Sequence, residues 1–182
     1  MFESVDSKVN FPELEGAILK WWENNEIPQK YMSRNESSEK RYSFIDGPIT
    51  ANNPMGVHHA WGRSYKDLFA RFRTMQGYKQ RYQNGFDGQG LWIEVEVEKE
   101  LGFSSKTDIE SYGVDKFVTL CKERVQRFSD VITDQSKQLA YWMHWENSYH
   151  TMADDNNYTI WYFLKTCHER GLIYEGTDVM PW

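Results

Sequence analysis

The chain has 182 residues, of which 40% are hydrophobic and 26% are charged. These proportions are typical of one ordinary globular domain, or of one and a half small ones, and they exclude a disordered chain. No stretch approaches the roughly 20 apolar residues of a transmembrane helix, so we expect no membrane partner. The net charge of −6 argues against a small dedicated nucleic-acid-binding module, which is usually basic.

The cysteine content points away from a disulfide or metal scaffold. Cys121 and Cys167 are the two cysteines, and their wide separation supports neither a disulfide framework nor a zinc site. We therefore expect no metal site within this chain and a reducing, cytoplasmic compartment. Residues 1–8 are polar and acidic, unlike a signal peptide.

Residues 1–40 are predicted to form an N-terminal helix and loop. Apolar side chains recur on one face over residues 11–27, which indicates an amphipathic helix. Residues 32–41 are polar and predict an exposed loop.

The next segment, residues 41–102, has the pattern of a βαβ unit. Tyr42–Ile45 predicts a strand, His58–Gln76 a helix and Lys79–Gln83 a second strand. Apolar side chains recur along the helix at helical spacing: Trp61, Tyr65, Leu68, Phe72 and Met75. This order predicts an α/β fold with parallel strands and a right-handed crossover helix.

Residues 103–182 are predicted to be mainly helical. The pattern indicates helices over Val114–Met143 and Asp155–Arg170, with Gly171 as a stop and an extended segment over Leu172–Met180, and a further helix over Ile93–Leu101 closes the preceding segment. Thr107 and Glu110 have the spacing of a capping box.

The loop between the first strand and the helix is a candidate phosphate site. Unpaired N–H groups and the positive end of the helix dipole favour anions there, and small residues let a ligand approach the backbone. His58 and His59 lie at the mouth of the helix, where imidazoles could stabilise a phosphoryl group. Neither G-x-G-x-x-G nor G-x-x-x-x-G-K-[ST] is present, and a surface histidine pair or a helix cap would explain the same residues.

A second candidate cluster follows the second strand. Asp87 lies between glycines in the segment Asn84–Gly90 and would suit an ammonium ligand. A turn with a locally capping aspartate is the plainer alternative. In a parallel sheet both loops would meet at the carboxyl edge of the strands, which favours a shared site.

Several segments in order resemble the N-terminal catalytic part of class I aminoacyl-tRNA synthetases, most nearly the isoleucyl family. DGPITANNPMGVHHAWGRSYKDLFARF resembles that family's first strand, ATP loop and first helix. NGFDGQGLWIEVEVEKELG resembles its amino-acid-pocket segment, and SYGVDKFVTLCKERV and YWMHWENSYHTM resemble the helical region that follows. NNYTIWYFLKTCHERGLIYEGTDVMPW resembles the approach to its connective and editing insertion. The resemblance implies the first half of a Rossmann-like nucleotide-binding fold.

The resemblance also implies roles for residues of the first loop. The H-I-G-H signature falls on Gly56-Val57-His58-His59, so that His59 matches the last histidine, which contacts ATP phosphates. Gly56 stands in the place of the first histidine and His58 in that of the glycine. Either His58 supplies the missing imidazole from a shifted position, or phosphate stabilisation is weakened. Thr50 and Asn52 match the loop against the nucleotide.

The expected amino-acid pocket uses both loops. Gly47 and Pro48 match its wall, and Asp87 matches the carboxylate that holds the α-amino group. Gln89 stands where the family has a histidine, and Trp92 where it usually has proline. The implied substrates are ATP with Mg²⁺ and isoleucine or a similar branched amino acid.

The implied reaction activates the amino acid as an aminoacyl-adenylate and then transfers it to tRNA. No K-M-S-K-S-like segment occurs, and tRNA would be bound mainly by regions missing here. We therefore expect an N-terminal fragment with little or no activity alone. The alternatives are a free-standing nucleotide-binding or regulatory paralogue, a valyl- or leucyl-specific relative, and an inert domain in which the loops are only turns.

Overall fold

The computed structural model describes residues 8–179. The helices in this range are Phe11–Asn24 (α1), Ile27–Met32 (α2), Val57–Met75 (α3), Leu91–Leu101 (α4), Lys106–Tyr112 (α5), Val114–Gln138 (α6) and Asp154–Glu169 (α7). The strands are Arg41–Ile45 (β1), Ile49–Thr50 (β2), Lys79–Asp87 (β3) and His144–His150 (β4). No helix among the described residues is long and apolar enough to span a bilayer.

Strand β3 is the centre of a parallel sheet. Phe86 pairs with Ile49 of β2 and with His150 of β4, while Gln83 pairs with Ile45 of β1 and with His144 of β4. A residue in a sheet has one neighbour on each side, so β1 and β2 share one edge of β3 and β4 takes the other. The predicted parallel pair joined by a helix is confirmed, and α4 to α6 form a second crossover into β4.

Most predicted elements are confirmed, with two corrections near the N-terminus. The helix predicted over residues 11–27 ends at Asn24, and a separate helix begins at Ile27. Glu26 between them has φ of 54°, and Pro28 lies in the first turn of α2. Because proline lacks the N–H that an interior helical position needs, it favours a new helix start.

Three corrections concern the second half of the chain. The helix predicted to reach Met143 ends at Gln138, because the backbone turns to φ of 60° at Ala140. Strand β4 follows, within the segment YWMHWENSYHTM that the resemblance placed in a helical region, so that expectation is wrong here. The capping box lies at Ser105 rather than Thr107, since the Asp108 carboxylate accepts the Ser105 backbone N–H at 2.8 Å. Residues 172–179 carry no regular secondary structure.

Helix α3 has two unlike sides. At 3.6 residues per turn, His59, Arg63, Lys66, Ala70 and Thr74 form one row, here called the inner face, which lies toward the sheet. Arg63, Ala70 and Thr74 of this row are buried. The opposite row, the outer face, is the predicted apolar stripe, and it is exposed along its length: Trp61, Tyr65, Leu68, Phe72 and Met75. The predicted stripe is therefore real but does not pack on the sheet.

The core lies on the side of the sheet that carries α3 and α6. One apolar cluster joins Ile49, Phe86, Ile93, Val125 and Ile132. A second cluster joins residues of α3, β3 and the segment before β4: Ala70, Tyr82, Tyr141 and Met143. Within the described range α7 contributes no buried residue, and its aromatic side chains are exposed.

Candidate functional site

The carboxyl edge of the sheet brings the two predicted loops together. The Thr50 hydroxyl at the end of β2 donates to Oδ2 of Asp87 at the end of β3, at 3.3 Å. Ala51 N–H donates to the Asp87 carbonyl oxygen at 3.0 Å. Segments 37 residues apart therefore meet in one place, as the parallel pairing predicts.

Asp87 is fixed from three sides. Its Oδ2 accepts the Thr50 hydroxyl. Its Oδ1 accepts the Thr151 hydroxyl at 3.3 Å and the Gln89 backbone N–H at 3.1 Å. The Gln89 side-chain amide turns to the Thr151 carbonyl oxygen at 3.1 Å, and the Thr151 hydroxyl oxygen accepts Gly88 N–H at 2.9 Å. The donors that orient the carboxylate are therefore all neutral groups.

His59 lies in the first turn of α3 with one ring nitrogen occupied. Its Nδ1 accepts the Gly56 backbone N–H at 3.1 Å, so in the neutral ring the proton is on Nε2. Partial burial lowers the pKa of His59, and the neighbouring His58 and Arg63 lower it further. The lowered pKa favours the neutral ring, in which Nε2–H is a hydrogen-bond donor.

His58 is exposed, and its ring centroid lies 3.9 Å from that of His59. A Cβ atom added at Gly56 would lie 2.9 Å from Cε1 of His58 and 3.0 Å from Nδ1. The glycine therefore leaves the space that the His58 ring uses. The two departures from the H-I-G-H pattern are therefore in contact, and a side chain at position 56 would require the exposed His58 ring to shift.

Asn52 holds the first loop from inside. It is only 6% exposed. Its side-chain oxygen accepts Arg124 Nε at 2.7 Å, and its amide donates to the Trp92 carbonyl oxygen at 3.1 Å. Arg124 of α6 also donates to the Asn52 carbonyl oxygen at 2.8 Å. Both polar ends of the Asn52 side chain are thus engaged within the protein in this arrangement.

Gly47 and Pro48 are exposed and follow a buried carboxylate, Asp46. The Asp46 side chain is paired with Arg63 and Lys66 of the inner face. The Asp46 carbonyl oxygen accepts the Tyr149 hydroxyl at 3.0 Å. Asp46 therefore fixes the backbone directly before Gly47 and Pro48, the residues predicted to border the amino-acid pocket.

Sequence reasoning missed the residues that support the site. Tyr149 lies in β4 and Thr151 directly follows it. The hydrophobic pattern did not predict this strand. The Tyr149 ring lies on Gly85, where an added Cβ would come within 2.2 Å of Cε1. Glycine at position 85 was the available signal, since an isolated glycine in a strand often marks a close approach. Nothing in the pattern marks Arg63 or Arg124 as buried.

Carboxylate and imidazole groups are not clustered here in the manner of a metal site. Among residues 8–179 no group of three or more His, Cys, Asp or Glu residues is arranged to hold a metal ion. The edge instead presents a donor at His59 and an acceptor at Asp87.

This parallel sheet, with its loops joined at the carboxyl edge, defines a nucleotide-binding type of α/β fold. A family model described as tRNA synthetases class I (I, L, M and V) matches residues 17–182. The chain belongs to the class I tRNA synthetase family.

Curated relatives narrow the resemblance within that family. Isoleucine–tRNA ligases of Clostridium acetobutylicum and Dehalococcoides mccartyi are each 40% identical over 100% of this chain, and that of Thermus thermophilus is 41% identical. The chain spans 18%, 18% and 17% of those relatives' lengths. It is thus similar to a fragment of an isoleucine–tRNA ligase.

A solved structure supports the fold. A ternary complex of LeuRS, tRNA and LeuAMS from Agrobacterium radiobacter matches with a TM-score of 0.63 and 18% identity. The match covers 88% of this chain and 18% of that chain.

Proposed function

We propose that this chain supplies the first half of the amino-acid activation site of an isoleucine-type tRNA ligase. The observation that carries the proposal is the hydrogen bond between Thr50 and Asp87. It joins the loop that leads to His58 and His59 to the carboxylate that suits an ammonium group. A phosphate-binding and an amine-binding element thereby share one sheet edge.

The nucleotide would lie along the first loop and the start of α3. His59 Nε2–H donates to a phosphate oxygen, and His58 stands beside it as a second donor. The N–H groups and the dipole at the start of α3 add further attraction for an anion. Gly56, Thr50 and Asn52 act through the loop, Asn52 by fixing its backbone. Mg²⁺ arrives with ATP, held by the phosphate oxygens.

The amino acid would lie beside the second loop. The Asp87 carboxylate binds the α-ammonium group, and Gly47 and Pro48 border the side chain, with Gln89 at the turn. This arrangement directs the substrate carboxylate toward the nucleotide. Its oxygen attacks the α-phosphorus of ATP, pyrophosphate leaves, and an aminoacyl-adenylate remains for transfer to tRNA. The chain contributes mainly positioning and charge stabilisation.

Isoleucine is the proposed amino acid because the relatives at about 40% identity are isoleucine–tRNA ligases. A neighbouring valine or leucine specificity is the second possibility, because the family model spans all of these enzymes. One methylene separates isoleucine from valine, a difference known from this same enzyme family to be worth only about 1–3 kcal/mol of binding. We propose that tRNA is bound mainly by regions outside these 182 residues.

Isothermal titration of the chain with a non-hydrolysable isoleucyl-adenylate analogue tests the proposal. We expect weak binding that Asp87→Asn reduces about tenfold, because an amide of equal size has lost the charge that pairs with the ammonium group. Asp130→Asn, the same change at an exposed position of α6, is the matched control and should bind like the parent. Pyrophosphate exchange should be absent or slow.

Two results would count against it. If the parent binds neither ATP nor the analogue, the proposed function is wrong and an inert domain is favoured. If it binds ATP with no preference for the adenylate of any amino acid, the free-standing nucleotide-binding paralogue is favoured instead.

A further inference from the structure

Arg63 is the most deeply placed charged side chain of α3. It is 1% exposed, and each nitrogen of its guanidinium contacts at least one of three partners. Nε and Nη2 contact Oδ2 of Asp46 at 3.1 and 2.9 Å. Nη2 also donates to Oδ1 of Asn84 at 2.7 Å, and Nη1 donates to Oγ of Ser136 at 2.6 Å.

Each partner lies next to a segment of the proposed site. Asp46 directly precedes Gly47 and Pro48. Asn84 lies on β3, three residues before Asp87. Ser136 follows Gln135, whose side-chain oxygen accepts Met55 N–H at 2.7 Å, immediately before the Gly56 cap of α3. One planar side chain therefore ties together the residue after β1, strand β3 and helix α6 beneath the two loops.

Burying the Arg63 charge lowers stability unless well-aligned hydrogen bonds and an ion pair replace its hydration. A buried guanidinium and carboxylate lose several kcal/mol of hydration, and hydrophobic replacements are often equally stable. The fork of Arg63 reaches three separate elements at once, which a lysine point charge could not do. Stability alone would not require this arrangement.

We propose that Arg63 is the positioning residue of the activation site, holding the first loop, the Asp87 strand and the start of α3 in register. This inference rests on the proposed function and names the group that sets its geometry. Arg63 is also one turn from His59, where its charge helps to keep the imidazole neutral. It acts through its partners and does not itself reach a ligand.

The test replaces the buried pair by a neutral one. Asp46→Asn with Arg63→Met removes both buried charges together, and Lys66, the other partner of Asp46, is partly exposed and can be solvated. We expect the double variant to fold but to bind the isoleucyl-adenylate analogue at least tenfold more weakly. Exchange of the Met55 and Gly56 backbone amides with D₂O should be at least tenfold faster, and the pKa of His59 should rise in an NMR titration.

The matched control lies two turns further along the same helix. Asp67→Asn with Arg71→Met removes the ion pair between Arg71 Nε and Oδ2 of Asp67, at 2.6 Å. This control should leave binding and the Met55 and Gly56 exchange rates within twofold of the parent. Should the Asp46 and Arg63 double variant not fold, Arg63→Lys, which keeps the charge but not the fork, should give the same faster exchange.

The outcomes separate the two proposals. A double variant with parent-like binding and parent-like amide exchange would overturn the role of Arg63. Loss of binding and faster exchange in the control as well would reduce Arg63 to one ion pair among others. If the parent binds no analogue, the proposed function fails, and amide exchange alone decides whether Arg63 orders the loops.

Discussion

The inner and outer faces of α3 reverse the usual relation between polarity and burial. The inner face packs on the sheet with Arg63 and Thr74 buried, while the outer face presents Trp61, 64% exposed, and Met75, 78% exposed, to solvent. In most surface helices the apolar stripe faces the core. Here the polar row is the one that the sheet covers.

The two faces of α3 meet different requirements. If the two proposals hold, the inner face serves the site, because it begins at His59 and continues through Arg63 and its partners Asp46, Asn84 and Ser136. The outer face is apolar with nothing among residues 8–179 packed over it, in a chain that spans 18% of the length of its Clostridium acetobutylicum relative. Large exposed apolar patches usually mark a contact surface.

The largest expected effect follows from breaking the inner face at its centre. Arg63→Met alone leaves the buried Asp46 carboxylate paired only with Lys66, so we expect the free energy of unfolding to fall by about 3 kcal/mol. Urea denaturation followed by tryptophan fluorescence measures this change. A loss below about 1 kcal/mol would show that the inner face tolerates an unpaired charge.

A smaller loss is expected at the end of the inner face. The Thr74 hydroxyl lies 2.6 Å from Oε1 of the buried Gln80 and 3.2 Å from the Tyr31 hydroxyl. Thr74→Val keeps the shape but removes these bonds, which should cost about 1–2 kcal/mol. Thr74→Ser retains the hydroxyl and should recover the part of the loss that is due to hydrogen bonding in the same denaturation experiment.

The existence of α3 was predictable, but its orientation was not. A regular spacing of apolar residues identifies a helix whichever side packs inward. Burial of Arg63 depends on Asp46, Asn84 and Ser136, whose positions only the tertiary fold defines. The hydrophobic pattern therefore indicates the correct element with the wrong face toward the core.

The candidate site likewise contains residues that local patterns place and residues that only the tertiary fold places. The positions of Asp87 at a strand end and of His59 at a helix start were predictable, because such ends can be recognised from local patterns; the roles that the family resemblance gives them stay predictions. Thr151 was missed with β4, since HWENSYH lacks regular alternation of apolar and polar residues. Asn52 was predicted to lie against the nucleotide. Both polar ends of its side chain bond to protein groups, so its contact with a nucleotide stays a prediction.

Lowering the pH should reduce the free energy of unfolding through protonation of His59 on the inner face. Its pKa in the folded chain lies below the ordinary value of 6.5, so between these two values the unfolded chain binds the proton more readily. Stability should therefore fall as the pH drops from about 6.5 through the folded pKa of His59. The loss should be smaller than that of Thr74→Val, because His59 is only partly buried.

A variant isolates this contribution from the other histidines. His59→Gln keeps an acceptor for Gly56 N–H but does not titrate. Denaturation midpoints of both proteins between pH 5 and pH 7.5 should diverge only in the acid part of the range. Parallel curves throughout would mean that His59 titrates alike in the folded and unfolded chains.

The smallest effect on stability is expected on the outer face. Leu68→Glu replaces an exposed apolar side chain, 62% accessible, so the free energy of unfolding should change by no more than about 0.5 kcal/mol. The same charge should oppose association of the chain through its apolar stripe, and sedimentation velocity over a concentration series should show less oligomer than the parent. Ala70→Leu, two positions away on the inner face, should instead cost about 1–3 kcal/mol through overpacking. If Leu68→Glu proved as damaging as Ala70→Leu, the outer face would be buried in solution and the contrast between the two faces would not hold.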